Sequence, residues 1–179
     1  MNFLRSLLLI LLLALLGGAG YVYSGVYDVG ADAPHSVPVY WLLDIALDRS
    51  VERHTAGLQA PPLDDPQRIA KGASEYHEMC DGCHLAPGME NNEFRRGLYP
   101  QPPDLSKPVD ATAAEEFWMI KHGIKMTAMP AWGISHDDAT LWAIVAFLQK
   151  LPQLTPAQYQ AMTAHTAEAH AEEHDSVGH

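Results

Sequence analysis

Ser6–Tyr27 is a run of 22 residues without a charged side chain, and Leu7–Leu16 within it is almost entirely leucine. No other feature of the 179 residues constrains the fold so strongly. A helix of that length spans the hydrocarbon core of a bilayer. Its leucines fall all round the helix, which leaves no polar face for life on a soluble domain. Arg5 precedes the run, and Asp28 and Asp32 follow it. That asymmetry predicts an N-terminus in the cytoplasm and the remainder across the membrane. A cleaved signal peptide is the competing reading: Gly18 and Gly20 form a small-x-small pattern, and Ala31–Ala33 form a second that Pro34 disfavours. Either way, everything beyond the run is exported.

The exported part reads as helices joined by loops. Val39, Leu42, Leu43, Ala46, Leu47 and Val51 recur at helical spacing, with Asp44, Asp48, Arg49, Glu52 and Arg53 between them. They predict a helix over Val37–His54 that packs on the domain or lies at the membrane surface. Pro61, Pro62 and Pro66 stiffen the linker that follows. Asp64 or Asp65 is placed to cap a helix with Pro66 in its first position. Ile69, Ala70, Ala73 and Tyr76 stripe that helix into Cys80. Asn91–Pro108, with four prolines, reads as a long ordered loop. Thr112 is a cap for a helix through Phe117 and Ile120 to Gly123, and Ile124–Ser135 is again loop. The last helix of the domain is expected from Ser135 or His136, with Asp137 and Asp138 in its first turn, Leu141, Ile144, Val145 and Leu148 inside, Lys150 in its last turn and Pro152 as its stop. A short helix follows from Thr155-Pro156. No segment alternates with period two.

The expected fold class is therefore all-α. Residues 1–28 are a transmembrane anchor or signal peptide, and 29–63 an amphipathic helix and Pro-rich linker. Residues 64–152 are a helical domain, and 153–179 a His/Glu-rich tail. A domain that small has a marginal core, so a large buried cofactor would help it fold.

The net charge of −11 argues against nucleic acid as a partner. The chain has only two cysteines, Cys80 and Cys83, and His84 follows them. A disulfide between residues so close closes too short a loop to stabilise much. C-x-x-C-H instead reads as covalent haem attachment. Two thiols three apart at a helix end reach two vinyl groups on one porphyrin edge, and the next residue offers an imidazole to the iron. Gly82 leaves room for the ring. Two other chemistries use such a pair. A zinc site would recruit His77 and His84 with the thiols, and a dithiol redox pair would need a βαβ setting that is missing here.

An iron held by His84 has a second face. Met is a soft ligand suited to it, and two methionines, Met126 and Met129, stand in the loop Gly123–Gly133. Met89, Met119 and Met162 read as core filling. From Asp64 to Pro152 the chain resembles the class I c-type cytochromes, on the early Cys80-Asp81-Gly82-Cys83-His84 and on Met129-Pro130-Ala131-Trp132-Gly133 before the last helix. That resemblance implies a class I cytochrome c-like fold holding one covalent haem c. Cys80 and Cys83 are then its thioether anchors, His84 its proximal iron ligand and Met129 its distal one. Met126, His122 and His136 are the alternative ligands. The resemblance also implies that Gly72 or Ala73 meets Trp142 or Phe147 where the first and last helices cross. It further implies that a carbonyl in Tyr99–Pro103 holds the other His84 nitrogen. Tyr99, Trp132, Arg95 and Arg96 are candidates to meet the haem propionates. The exported chain as a whole also resembles small membrane-anchored bacterial cytochromes.

The function this implies is a monohaem electron carrier in the periplasm or at the outer face of the cytoplasmic membrane, without bond-making chemistry. Its partners would be a redox donor and acceptor, among them a membrane respiratory complex. Arg95, Arg96, Lys121 and Lys125 offer a docking patch. Two alternatives stay open. One is a haem enzyme or sensor whose sixth iron position is vacant. The other is a copper-handling cytochrome that uses His165, His170, His174 and His179 of the tail to bind Cu or Zn.

Overall fold

A computed structural model of the chain describes residues 2–164. The tail histidines, and with them the expected Cu or Zn site, lie outside the described residues. Every regular element among the described residues is helical. The chain divides into two units, Met1–Pro34 and His35–His179. The first holds α1 (Asn2–Tyr23), of which Phe3–Tyr23 is long and apolar enough to cross a membrane.

The second unit opens with α2 (Val37–Thr55). Its inner stripe packs on α6 (Ala113–His122), with Val51 buried and His54 stacked on Trp118 at 5.1 Å. The compact unit therefore starts at His35, ahead of the domain start expected near Asp64. It also extends past Pro152, because helix α8 (residues 156–164) buries Tyr159 and Thr163 against the domain.

The centre of the unit is the crossing of α3 (Pro66–Met79) and α7 (Asp138–Leu148). Asp65 caps α3, accepting from the Gln67 amide at 3.0 Å, and Pro66 takes the first position, where a missing N–H costs nothing. Gly72 makes the crossing possible. A Cβ there would lie 1.9 Å from the Ala143 carbonyl oxygen and 2.9 Å from Phe147 Cβ, so only glycine lets the backbones meet. Phe147 is thus the aromatic at the crossing, its ring tilted at 52° to that of Tyr76 with centroids 5.5 Å apart. Trp142 instead lies flat on Phe117 at 4.1 Å and joins α7 to α6. Tyr76, Leu141, Ile144, Val145, Phe147 and Leu151 form the fully buried centre.

Three expected boundaries move. The loop expected over Asn91–Pro108 contains a single helical turn, α5 (Glu93–Arg96), capped by Asn92. α7 starts at Asp138, because Asp137 accepts from the Thr140 amide at 2.8 Å and so caps it. Ser135 instead ends a 3-10 turn, Trp132–Ile134. α7 ends at Leu148, and Lys150 leads into a second 3-10 turn, Leu151–Gln153. α6 follows the expected pattern: Thr112 and Glu115 form a reciprocal capping box.

Candidate haem site

α3 ends at Met79, and the chain makes one further turn, α4 (Asp81–His84). The Cys83 and His84 amides both donate to the Cys80 carbonyl, at 3.1 and 2.8 Å. One turn of helix brings side chains three apart to one side. Cys80, Cys83 and His84 accordingly line a single cavity, walled by Tyr76, Met79, Leu105, Ile120, Ile144 and Leu148. Leu85, with φ 62°, turns the chain away immediately afterwards. The buried Tyr76 hydroxyl holds the Leu85 carbonyl at 2.6 Å and stabilises that turn.

His84 is tied down twice. Its Nδ1–H donates to the Pro103 carbonyl at 3.0 Å, and its own carbonyl accepts from the Leu105 amide at 2.9 Å. The first bond fixes the tautomer and leaves the lone pair on Nε2. Burial, helped by the nearby Arg95 charge, lowers the pKa of His84 against the opposing pull of the Pro103 bond. The neutral imidazole that results is the form able to ligate a metal. The expected Tyr99–Pro103 segment thus supplies its last carbonyl.

Arg95 corrects the expectation for the basic residues. It is 6% exposed. Its guanidinium donates to the Cys83 carbonyl at 2.8 Å, Asn91 Oδ1 at 3.0 Å and the Pro102 carbonyl at 2.6 Å. Asn92 Nδ2 donates to the Gly82 carbonyl at 2.7 Å. Residues 91–96 therefore clamp the backbone of the cysteine motif, and Arg95 is neither a surface docking charge nor a member of the cavity wall. Lys121 is committed to Asp138 at 2.6 Å. Of the four expected docking cations, Arg96 and Lys125 are the exposed ones.

Opposite these elements in the sequence stands the loop after α6. Gly123, with φ 64°, ends the helix, and a Cβ there would lie 2.7 Å from the Met129 carbonyl oxygen. Thr127 then organises the turn: its hydroxyl donates to the Ile124 carbonyl at 2.8 Å and accepts from the Met129 amide at 3.1 Å. Met129, Pro130 and Trp132 line the same cavity as His84. Met126 does not: its φ of 61° turns it outward, it is 72% exposed, and it lines a neighbouring groove with Tyr99 and His122. His122 packs on Trp118 at 5.0 Å, and His136 bonds Ser135 at 2.9 Å. Neither lines the cavity. Tyr99 likewise belongs to the groove, its hydroxyl accepting from the His35 amide at 3.0 Å.

The alternative chemistries fit poorly. Burial, with Asp81 and Cys83 nearby, pushes the Cys80 thiol up to about 12, whereas a working dithiol needs an accessible thiolate. Among the described residues, no three His, Cys, Asp or Glu side chains gather as a metal site requires; His77 is spent on Asp81, at 2.7 Å. The residues present do fit a covalent haem: an apolar slot, two free thiols, one imidazole of fixed tautomer and one thioether.

Two features of the site escaped the sequence reading. Glu116 lines the cavity although only 8% exposed. Burial raises its carboxyl to about 7, against the opposing effect of the bond that Gln149 Nε2 donates to it at 2.6 Å. The Asn92–Arg95 clamp is the other, and Asn92 ahead of Glu93 was its only local signal.

Residues 67–148 match the family described as cytochrome C oxidase, cbb3-type, subunit III. No curated protein and no solved structure matches the chain. The match runs from the start of α3 to the end of α7, the helices whose crossing builds the cavity wall, and so takes in both the cysteine motif and the methionine loop. Over these residues the chain is similar to that family, and the match, together with the cavity geometry, supports a c-type cytochrome domain that serves as a haem-based electron carrier.

Proposed function

We propose that the chain carries single electrons through one haem c, ligated by His84 and Met129, at the outer face of the cytoplasmic membrane. One observation supports this reading above others: Met129, and not Met126, shares the apolar cavity with His84. When bound, haem supplies an iron that takes up and releases one electron.

The chain's own residues set the conditions for that exchange. Cys80 and Cys83 hold the group covalently. His84 is the proximal ligand, oriented by the Pro103 carbonyl, and the Met129 thioether raises the reduction potential relative to a second imidazole. The aliphatic walls from α6 and α7 keep water away. α1 anchors the chain, with the haem domain on the periplasmic side. The partners are redox proteins of a respiratory complex, in keeping with the description of the matching family.

The test is the full chain, produced in a host that attaches haem c. The expected product gains the mass of one haem, loses it in the Cys80→Ala/Cys83→Ala variant, gives a single one-electron wave on redox titration and stays in membranes washed with alkaline carbonate. A mass gain of two haems, or a ferrous form that binds carbon monoxide as isolated, would overturn the reading.

A further inference from the structure

α2 presents two different outer stripes along its length. Its inner stripe, with Leu47, Val51 and His54, packs on α6. On the opposite side, Trp41 and Ile45 continue at helical spacing into Asp48 and Glu52, and Leu42 and Ile45 continue into Arg49. The outer side is therefore apolar for its first turns and charged thereafter. Trp41 is 62% and Leu42 61% exposed, and Ile45 is exposed beside them.

The apolar end is the one nearest α1 along the chain. Only residues 24–36 separate the two helices, at most about 45 Å if fully extended. Turns at 24–25 and 31–32 shorten that reach. An exposed tryptophan with aliphatic neighbours suits the boundary between headgroups and acyl chains. The change to Asp48, Arg49 and Glu52 further along the chain from α1 is what a helix entering that boundary at one end requires. No Lys or Arg occurs between Ser6 and Asp48, so zwitterionic lipid suffices and anionic lipid is not called for.

We infer that Trp41, Leu42 and Ile45 of α2 seat in the lipid–water interface and thereby fix how the haem domain faces the membrane. The inference rests on the proposal that α1 remains as the anchor. Because α2 is packed on α6, whose Ile120 walls the haem cavity, seating its outer face orients the redox centre and leaves a defined part of the domain for partners.

The experiment uses the full haem-loaded chain in phosphatidylcholine vesicles. Both native cysteines are consumed by haem, so one introduced cysteine is the only free thiol. Nitroxide labels are placed at Trp41→Cys, Leu42→Cys and Ile45→Cys, with Asp48→Cys and Glu52→Cys for comparison. Their collisions with dissolved oxygen and with a water-soluble nickel chelate are measured. The ratio of oxygen to nickel accessibility should be several-fold higher at 41, 42 and 45 than at 48 and 52. Equal nickel accessibility at all five positions overturns the inference. So do labels shielded from both probes in native membranes but water-exposed in the vesicles, which point to a protein neighbour instead. Release of the chain by alkaline carbonate overturns the anchor and this inference together, whereas retention with water-exposed labels overturns this inference alone.

Discussion

The Tyr159 hydroxyl donates to Asp81 Oδ2 at 2.8 Å, a buried bond across 78 residues. It ties α8, beyond the matched family region, to one of the two residues between Cys80 and Cys83, the proposed haem anchors. The same oxygen meets His77 Nδ1 at 2.7 Å, so Asp81 keeps one partner if the other is removed. Tyr159→Phe is expected to lower stability by about 1.5–3 kcal/mol, the worth of a bond to a charged acceptor. Chemical denaturation of the haem-loaded chain checks it, and the visible spectrum should not change.

The α3–α7 crossing gives a sharper contrast. A Cβ at Gly72 would sit inside the Ala143 carbonyl, while one at Gly82 would meet nothing within 4 Å. Gly72→Ala should cost about 3 kcal/mol, the upper end for overpacking, and reduce the yield of haem-loaded protein. Gly82→Ala should leave the stability of the fold nearly unchanged. Parallel denaturation curves and the haem absorbance per milligram separate the two.

Arg95 is buried with its charge, held by the Cys83 and Pro102 carbonyls and Asn91. Arg95→Ala strips a charged donor from two carbonyls beside the His84 anchor. The expected loss is about 3 kcal/mol or more, because buried acceptors are left without partners. Arg96→Ala, at an exposed position, should cost less than about 0.5 kcal/mol.

Much of this was legible in local chemistry. The caps at Asp65 and Thr112 needed only their own helix, and so did the spacing of Cys80, Cys83 and His84. What was missed depended on distant partners or on elements too short to carry a period. α5 is four residues long, below the length at which apolar spacing registers. Arg95 looked like a surface charge because its acceptors come from positions 83, 91 and 102. Nothing in the local pattern marks Glu116 as buried; only the packing of α7, with Gln149 thirty-three residues away, buries it.

That burial gives a pH signature. Below about pH 4.5 the Glu116 carboxyl is neutral in the folded and the unfolded chain alike. Between about 4.5 and 7 the folded chain holds a proton that the unfolded chain has released, so this residue lowers folding stability as pH rises. Above 7 the deficit is complete, on the order of 3 kcal/mol. Glu116→Gln should remove it: the variant gains stability over the parent as pH rises from 5 to 8, and the two converge near pH 4. Denaturation midpoints of both proteins across that range check the sign.

The most direct test of the proposed haem ligation is the visible spectrum, oxidised and reduced, of the haem-loaded chain beside Met129→Ala and Met126→Ala. His84/Met129 ligation predicts a low-spin spectrum for the parent and for Met126→Ala. Met129→Ala alone should become high-spin and bind carbon monoxide. A parent that is already high-spin, or a low-spin spectrum lost with Met126 and kept without Met129, would contradict it.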